Sequence, residues 1–352
     1  MPDGPTYKPQ LPDILPVGCT EFPESEWRAW RAGVVDRFLD LCGEGPAEAA
    51  EPALRVESEV DEGAWVRRLV SYETEPGDRC PAWLLVPKGV SAASPAPAVL
   101  CLHGTTADAK DACLGIGGHP GGANGIAVHL ARRGFVTLSP DHFCAGARLP
   151  EGVPPYNTAF FYERHPGWSE MGKDVFDHRQ ALNVLCSRPE VDGSRLGCIG
   201  HSLGGYGTAF LAAVDDRVRA AVSSCGVTSW LVDPKRENWS RTPPGRYKHF
   251  QKLRPYFESG QAPPLDMHEI LASIAPRALL NISAVGNDVC FPVFEPFAEI
   301  YYQVERVYKA LQAEGKFACH FHSAGHSFNA PPRALAYCWL EMQLGLEPVL
   351  DG

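Results

Sequence analysis

The stretch "LGCIGHSLGGYG", Leu196–Gly207, places Ser202 between Gly200 and Gly204, directly after an apolar run. The apolar run predicts a buried strand, and "LGGYGTAFLAAV" after the serine predicts a helix. A sharp turn from strand to helix needs small residues, and it lifts the side chain at its tip above the edge of a sheet. G-x-S-x-G also occurs by chance in glycine-rich bends, but the flanking strand and helix favour a nucleophilic serine.

Short apolar segments alternate with amphipathic helices through most of the chain. The predicted strands of this part are "APAVLCLHG", "FVTLSPD", "RLGCIGHS", "VRAAVSSCG", "RALLNISA" and "FACHFHSAG". Such alternation is typical of βαβ units, and it predicts an α/β fold with a mostly parallel central sheet and helices on both faces. Upstream, "AWVRRLVSYET" and "CPAWLLVPKG", separated by "EPGDR", predict an antiparallel N-terminal hairpin.

The chain divides into an arm and one catalytic domain. Residues 1–60 are rich in Pro and Glu around one predicted helix, "SEWRAWRAGVVDRFLDLC", and we expect them to pack on the core as a helical arm. The domain, residues 61–352, carries two irregular insertions at about 142–168 and 227–267. Long insertions of this kind are usually functional loops or lids, and surface decoration is the alternative. We expect a lid-like insertion.

Composition narrows the class of protein. With 352 residues, 45% of them apolar, the chain can build a substantial core. A net charge of -10 without a basic cluster disfavours nucleic acid and anionic membranes as partners. There is no apolar stretch of the roughly 20 residues that a membrane span needs, and the N-terminus lacks the features of a signal peptide. We therefore expect a cytoplasmic protein; the oligomeric state is open.

Twelve cysteines are spread singly along the chain, without a C-x-x-C pair. This pattern is typical of free thiols in a reducing compartment rather than of a disulfide framework, a zinc ribbon or a redox motif. Four of them lie in apolar runs that predict buried strands: Cys101, Cys198, Cys225 and Cys319.

An acid and a base follow the serine, each just past a predicted strand. Asp288 comes after "ALLNISA", and His326 comes after "FACHFHSAG". We predict a catalytic triad of Ser202, Asp288 and His326, in that chain order. Asn287 and Glu295 lie near the predicted acid, but only Asp288 is a carboxylate directly behind the strand.

Two further histidines, His320 and His322, compete with His326 for the role of base. They alternate within one strand, so they share a face and more plausibly pack or contact solvent. As a metal pair they lack a third ligand in the sequence, and we expect no metal.

The oxyanion of the reaction needs two backbone donors. One is the N–H of Leu203, at the start of the predicted helix. The other should come from the loop after "VLCLHG", where Thr105 is the candidate and Thr106 the second choice. His103, in the same loop, either lines the substrate pocket or braces the loop. The glycine-rich run "GIGGHPGGANG" lacks the spacing of G-x-G-x-x-G, so we expect no nucleotide cofactor.

The segments between Val99 and Phe328 resemble the α/β-hydrolase superfamily, and within it the dienelactone hydrolase and acetyl xylan esterase-like branch. The resemblance lies in "VLCLHG", "ARRGFVTLSPD", "DVFDHRQALNVLCSRPEVDGSRLGCIGHSLGG", "IAPRALLNISAVGNDVCFP" and "AGHSF". It implies the α/β-hydrolase fold, a serine carboxylic-ester hydrolase without a metal, and a structural role for Asp177 and Arg179. The serine at the elbow departs from the dienelactone hydrolases themselves, whose elbow carries cysteine.

Two residues are further pocket candidates. Relatives carry a Gly-aromatic-Gly-Glu-Arg segment where this chain has "CAGAR", in which Gly146 and Arg148 match, so Arg148 is one candidate. Trp230, in the second insertion, could stack on a sugar or an aromatic acyl group; equally, the aromatic residues there could form the core of the insertion.

These residues together predict acyl transfer through Ser202 on a small ester, with an acylated carbohydrate as one option. A peptidase of the prolyl oligopeptidase kind is the alternative, although the segment before the core is too short for that family's propeller. A ligand-binding protein that retains the fold without catalysis is the third hypothesis.

Overall fold

Parallel strands form the centre of the molecule. The computed structural model describes residues 11–46, 51–117, 125–240, 248–292 and 295–349. The strands in these ranges are β1 Arg55–Asp61, β2 Trp65–Glu75, β3 Asp78–Pro87, β4 Ala96–Leu102, β5 Val136–Pro140, β6 Val191–His201, β7 Val218–Ser224, β8 Ala278–Ala284 and β9 Phe317–His322. They form one sheet in the order β1-β2-β3-β5-β4-β6-β7-β8-β9.

The sheet has an antiparallel side and a parallel side. Strands β1, β2, β3 and β5 pair antiparallel in succession. Strands β5, β4, β6, β7, β8 and β9 pair parallel. The predicted α/β fold and its N-terminal hairpin are thus confirmed. All carboxyl ends of the parallel strands lie at one edge, where α/β proteins place their sites.

Helices cover both faces of the sheet. Their bounds are α1 Glu24–Cys42, α2 Ile126–Arg132, α3 Ala159–Arg164, α4 Glu170–Cys186, α5 Leu203–Val214, α6 Arg254–Ser259, α7 Met267–Ala272, α8 Glu295–Ala310 and α9 Ala330–Gln343. Alternate residues of the central strands point to opposite faces. On β4, for example, Leu100 joins the core beneath α1, α4, α5 and α8, whereas Val99 and Cys101 join the core beneath α2 and α9.

The N-terminal segment packs on the core through α1. Phe38 of this helix is buried, and its ring lies 5.0 Å from that of Phe210 on α5. The same segment also ends in a strand that the sequence did not predict, since β1 lies almost wholly within the stretch assigned to the arm. Every residue of β1 is exposed, so it lacks the apolar alternation that identifies a half-buried strand. The division at residue 60 stays a prediction.

All twelve cysteines are free. Cys101, Cys198 and Cys225 are buried as expected, but Cys319 is exposed, and the prediction for it was wrong. The reason is its position on β9, which lies at the end of the sheet and has a partner strand on one side only. The described residues include no helix with the length and apolarity of a membrane span.

Candidate active site

Ser202 sits at a strained turn between β6 and α5. Its backbone has φ 56° and ψ −117°, a conformation that costs a non-glycine residue free energy. The turn closes tightly because Gly200 and Gly204 lack side chains: a Cβ on the first would overlap the Gly204 carbonyl, and one on the second would overlap the Leu102 carbonyl. These contacts explain the glycines of the motif, and the strain exposes the hydroxyl above the sheet edge.

The three predicted triad residues lie together. The Oγ atom of Ser202 is 2.9 Å from Nε2 of His326. The Nδ1 atom of the same ring is 3.0 Å from each carboxylate oxygen of Asp288. Ser202, Asp288 and His326 come from the ends of β6, β8 and β9, which the parallel sheet brings to one edge. The carboxylate can thus fix the ring with Nδ1–H toward itself and Nε2 toward the serine.

The acid and the base perturb each other's pKa. Burial opposes ionisation of Asp288, but the hydrogen bond and charge interaction with His326, together with the N–H groups of Phe291 and Cys290, outweigh it and lower the pKa of the carboxyl group. Burial also opposes the charge on His326, yet the hydrogen bonds with Asp288 and with the Cys290 thiol raise the pKa of the ring to about 9. The pair therefore stabilises the imidazolium that proton transfer from the serine would create.

Neighbouring loop residues hold the acid and the base in place. The N–H groups of Cys290 and Phe291 donate to Oδ1 of Asp288 at 2.7 and 3.0 Å. Asn287 connects the two loops: its Oδ1 accepts from the N–H of Gly325 at 3.1 Å, and its Nδ2 donates to the Ser323 carbonyl at 2.6 Å.

The competing candidates lie elsewhere. Asn287 acts as this connector and not as the acid, and Glu295 is an exposed residue at the start of α8. His320 and His322 are half-buried on one face of β9, with ring centroids 6.3 Å apart. Neither is the histidine that contacts Ser202.

The predicted oxyanion donors flank the serine. Leu203 is the first residue of α5, where backbone N–H groups have no acceptor within the helix. The loop after β4 is adjacent, because a Cβ on Gly104 would lie 3.7 Å from Cβ of Ser202. The N–H of Thr106, the second choice, already donates to the hydroxyl of Tyr156 at 2.8 Å. Thr105 stays the first candidate for this donor, and both donor assignments stay predictions.

Comparisons with known proteins agree with this geometry. A model of the Abhydrolase family matches residues 16–309. The chain belongs to the Abhydrolase family. It is 27% identical over 269 residues to YtaP of Bacillus subtilis (strain 168), which is named as a hydrolase, and the match covers 76% of this chain and 84% of that protein. The predicted α/β-hydrolase resemblance and the prediction of a hydrolase are therefore confirmed.

Solved structures share the fold of this Abhydrolase family member. A glucuronoyl esterase from Solibacter usitatus superposes with a TM-score of 0.71 at 17% identity, covering 96% of this chain and 99% of its own. A Bacteroides fragilis NCTC 9343 protein named as an acetyl xylan esterase superposes with a TM-score of 0.66 at 17% identity, covering 86% of this chain and 77% of its own. The fold of the Abhydrolase chain is thus that of known esterases.

Of the predicted pocket residues of this Abhydrolase chain, His103 is fully buried and braces the loop. The N–H of His142 donates to its Nε2 at 3.2 Å, so the proton of the ring is on Nδ1, which donates to the Gly104 carbonyl at 2.8 Å. Burial and the neighbouring His142 ring lower the pKa of His103 well below its usual value, so the ring is neutral. Since C=O and N–H of a trans peptide point in opposite directions, this bond directs the N–H of Thr105 away from His103.

Arg148 is also buried, with its side chain 2% exposed. It donates to Asp177 at 2.7 Å and to Asp78 at 2.6 Å, and Lys173 contacts the same two carboxylates. Its role is therefore to join α4 to the β3 strand, and the expectation of a pocket role was wrong. Asp177 is a structural partner, as the resemblance implied, while Arg179 lies mostly exposed on the same helix.

Trp230 does not line an accessible pocket either. The residue is fully buried, and its ring lies 5.4 to 6.2 Å from those of Phe210, Trp239 and Phe250. Trp230, Trp239 and Phe250 of the second insertion thus pack into the core of the domain, beside Phe210 of α5. The ring serves packing, as in the alternative interpretation, but in the core of the domain and not in a separate core of the insertion. Tyr247, another aromatic residue of the second insertion, lies outside the described residues.

Sequence analysis missed Tyr156. The hydroxyl of this buried residue accepts from the N–H of Thr106 and lies 2.7 Å from the Thr106 carbonyl and 3.2 Å from the Gly104 carbonyl. These hydrogen bonds hold the loop that carries Thr105 in place. Tyr156 lies in the irregular first insertion, where no periodicity or motif distinguishes it from neighbouring aromatic residues.

One group of potential metal ligands overlaps the triad. Donor atoms of Cys225, Asp288 and His326 all lie within 4.8 Å of one another. However, Asp288 and His326 already pair with each other, and the Cys225 thiol is 3.8 Å from the Ser327 carbonyl. This group is satisfied by protein partners and does not need an ion.

Proposed function

We propose that this chain is a serine carboxylic-ester hydrolase that forms an acyl-enzyme on Ser202. The observation that carries the proposal is the hydrogen-bond chain from Asp288 through His326 to Ser202 at a strained elbow. A serine hydroxyl is a weak nucleophile until a base removes its proton, and the chain provides that base together with a carboxylate that orients it.

In the first step, Nε2 of His326 takes the proton of Ser202 while Oγ attacks the ester carbonyl carbon. The carbonyl oxygen becomes an oxyanion, for which the N–H groups of Leu203 and Thr105 are the donors. As the tetrahedral intermediate collapses, the C–O bond to the alcohol breaks. The alcohol leaves with the proton from His326, and the acyl group stays on Ser202.

Water completes the reaction by the same route. His326 takes a proton from water, whose oxygen attacks the acyl-enzyme, and the intermediate again places its charge between the two N–H groups. Collapse breaks the bond to Oγ, and His326 returns its proton to Ser202. Asp288 stays ionised throughout and stabilises the imidazolium in both steps.

Esters of carbohydrates are the substrate class that we propose to test first. Support comes from the similarity in fold to proteins named as a glucuronoyl esterase and an acetyl xylan esterase. The test is a panel of acetylated sugars, a methyl ester of glucuronic acid, feruloyl esters and simple nitrophenyl esters. We expect the wild-type protein to cleave a sugar ester with higher kcat/KM than a nitrophenyl ester of the same acyl group.

The Ser202→Ala variant is the control for that panel. Loss of one triad member typically lowers the rate by about 10⁴-fold or more. A variant that cleaves the esters at the wild-type rate would contradict the proposed nucleophile. Cleavage of short peptides without cleavage of any ester would instead favour the peptidase alternative.

A fluorophosphonate probe separates an enzyme from a binding protein of the same fold. An activated serine should be labelled by the probe, and the label should map to Ser202. Wild-type protein that is folded but not labelled would favour the ligand-binding hypothesis.

A further inference from the structure

A second group of ionisable side chains lies outside the triad, beneath the loop after β4. His142 follows β5, while Asp174 and His178 lie one turn apart on the same side of α4. Their exposed fractions are 2%, 1% and 2%. The ester reaction proposed above uses none of them.

Several polar atoms of this group form no hydrogen bond with the described residues. Both oxygens of Asp174 and both ring nitrogens of His178 are buried without a hydrogen bond among the described residues. A buried polar group without a partner is costly, and folded proteins rarely keep one. Nδ1 of His142 also forms no hydrogen bond of good geometry, although it lies 3.0 Å from Oδ2 of Asp174.

The tautomer of His142 sharpens the point. Its Nε2 lies 3.1 Å from the carbonyl oxygen of His103, which can only accept, so Nε2 carries a proton. The Nδ1 atom lies 3.0 Å from Oδ2 of Asp174. Two lone pairs at that distance would repel, so this contact needs either a second proton, on Nδ1, or a metal ion between the two atoms.

We propose that His142, Asp174 and His178 bind one Zn²⁺ ion. One donor atom from each residue lies within 4.8 Å of the other two, as ligands of a single ion must. Ligands four residues apart on one helix face are a recurrent arrangement in zinc sites. Two imidazoles and a carboxylate suit Zn²⁺, whereas Ca²⁺ and Mg²⁺ prefer oxygen ligands alone.

The surroundings suit a structural ion. The His103 carbonyl accepts from the outer nitrogen of His142, as outer-shell partners of zinc-bound histidines do. The ion would tie α4 to the loop after β5, and through His103 to the Gly104 carbonyl beside the predicted oxyanion donor. Burial of all three ligands excludes substrate, so the ion holds this part of the fold and takes no part in ester cleavage.

Metal content and stability test the site without measuring activity. The full chain, purified without chelator, should contain about one zinc per molecule by elemental mass spectrometry. Dialysis against a strong chelator should lower Tm, and one equivalent of Zn²⁺ should restore it. Substitution with Co²⁺ should give the visible absorption spectrum of a site with nitrogen and oxygen ligands.

Variants locate the ion. His178→Gln and Asp174→Asn should each weaken Zn²⁺ binding by more than the 10- to 100-fold typical of losing an outer-shell partner. His320→Gln, at the half-buried histidine of β9, is the matched control and should bind zinc as the wild type does. Cys225→Ser removes one donor atom from the other group of potential metal ligands, which consists of Cys225, Asp288 and His326. This variant should also keep the zinc.

Two results would overturn the proposal. One is that the wild-type protein contains no zinc and that its Tm changes neither with chelator nor with added Zn²⁺. Ordered water or a proton would then satisfy the polar atoms of His142, Asp174 and His178. The other is loss of zinc in Cys225→Ser with retention in His178→Gln. If His178→Gln does not fold, the wild-type measurements and the two control variants still decide the question.

Discussion

The backbone of Ser202 stores strain that the fold must compensate. A φ of 56° with a ψ of −117° suits glycine better than any residue with a side chain. The hydroxyl is needed for the proposed chemistry, so the strain is retained at the one position where it presents the nucleophile. Stability and activity are thus opposed at this residue.

A pair of inactive variants can measure that strain. Ser202→Gly and Ser202→Ala both lack the hydroxyl, but only glycine relaxes the backbone. We expect Ser202→Gly to have a free energy of unfolding about 1 kcal/mol above that of Ser202→Ala, after the entropic cost of glycine. Urea denaturation of the two proteins is the measurement. A Ser202→Gly protein that is less stable than Ser202→Ala by roughly 0.5–1 kcal/mol, the entropic cost of glycine alone, would mean that the turn is not strained.

The pH dependence of activity should reflect the raised pKa of His326. The ring accepts the serine proton only when neutral, so kcat/KM should rise with pH and level off above a pKa of about 9. Asp288→Asn removes the carboxylate that raises this pKa, so the rise should move to lower pH while the plateau falls by about 10⁴-fold. Ester hydrolysis across the pH range measures both, and an unshifted rise in the variant would assign it to another group.

The contribution of His326 to the stability of the fold should fall with rising pH, whereas activity should increase. The pKa of His326 in the folded chain lies above its ordinary value of 6.5. The protonated ring therefore stabilises the fold below pH 6.5, and this contribution is lost as the pH rises through about 9. The proposed enzyme would be most active above a pH of about 9, where the pair of His326 and Asp288 stabilises the fold least.

Tyr156 should act on catalysis by positioning the loop after β4. Tyr156→Phe leaves the N–H of Thr106 without its acceptor, which typically costs about 1–3 kcal/mol of stability. We expect kcat to fall with little change in KM, because the loop carries a donor that acts on the transition state. Tyr308→Phe is the control: this buried hydroxyl donates to the Arg277 carbonyl, and its loss should lower stability alone.

At the scale of elements, aromatic residues hold the second insertion against α5. Trp230→Ala would empty a site packed between Phe210, Trp239 and Phe250, at a typical cost of about 3–5 kcal/mol. Thermal unfolding measures the loss, and Trp230→Phe should retain most of the stability. Because the Trp230 ring is buried, folded Trp230→Ala and Trp230→Phe proteins should rank the ester substrates by kcat/KM in the same order as the wild type. A changed ranking would mean that Trp230 contributes to the substrate pocket.

Most elements that the sequence predicts well bury one or both faces; β9, whose residues are half-buried or exposed, is an exception. Strands such as β4 consist of continuous apolar residues, and α4 carries apolar residues at helical spacing. The missed elements lack that signal. β1 is wholly exposed, while α3, α6 and α7 have six residues each and lie within or next to irregular insertions.

At the scale of the whole molecule, the parallel sheet explains why the triad could be predicted. Chain order and strand ends were sufficient to predict that Ser202, Asp288 and His326 lie together, because parallel strands deliver their following loops to one edge. The pocket candidates His103 and Arg148 could not be judged in this way, since burial depends on what packs above a loop. The same holds for the proposed zinc ligands, whose proximity depends on the packing of α4 against the loop after β5.

The two hydrogen bonds of Asn287 have a practical meaning for protein engineering. They join the acid loop to the base loop across 38 residues of chain. A designer who transplants the segment around Asp288 into another scaffold without the segment around His326 would separate parts that are positioned as one piece. The unit to graft is the pair of loops together with Asn287.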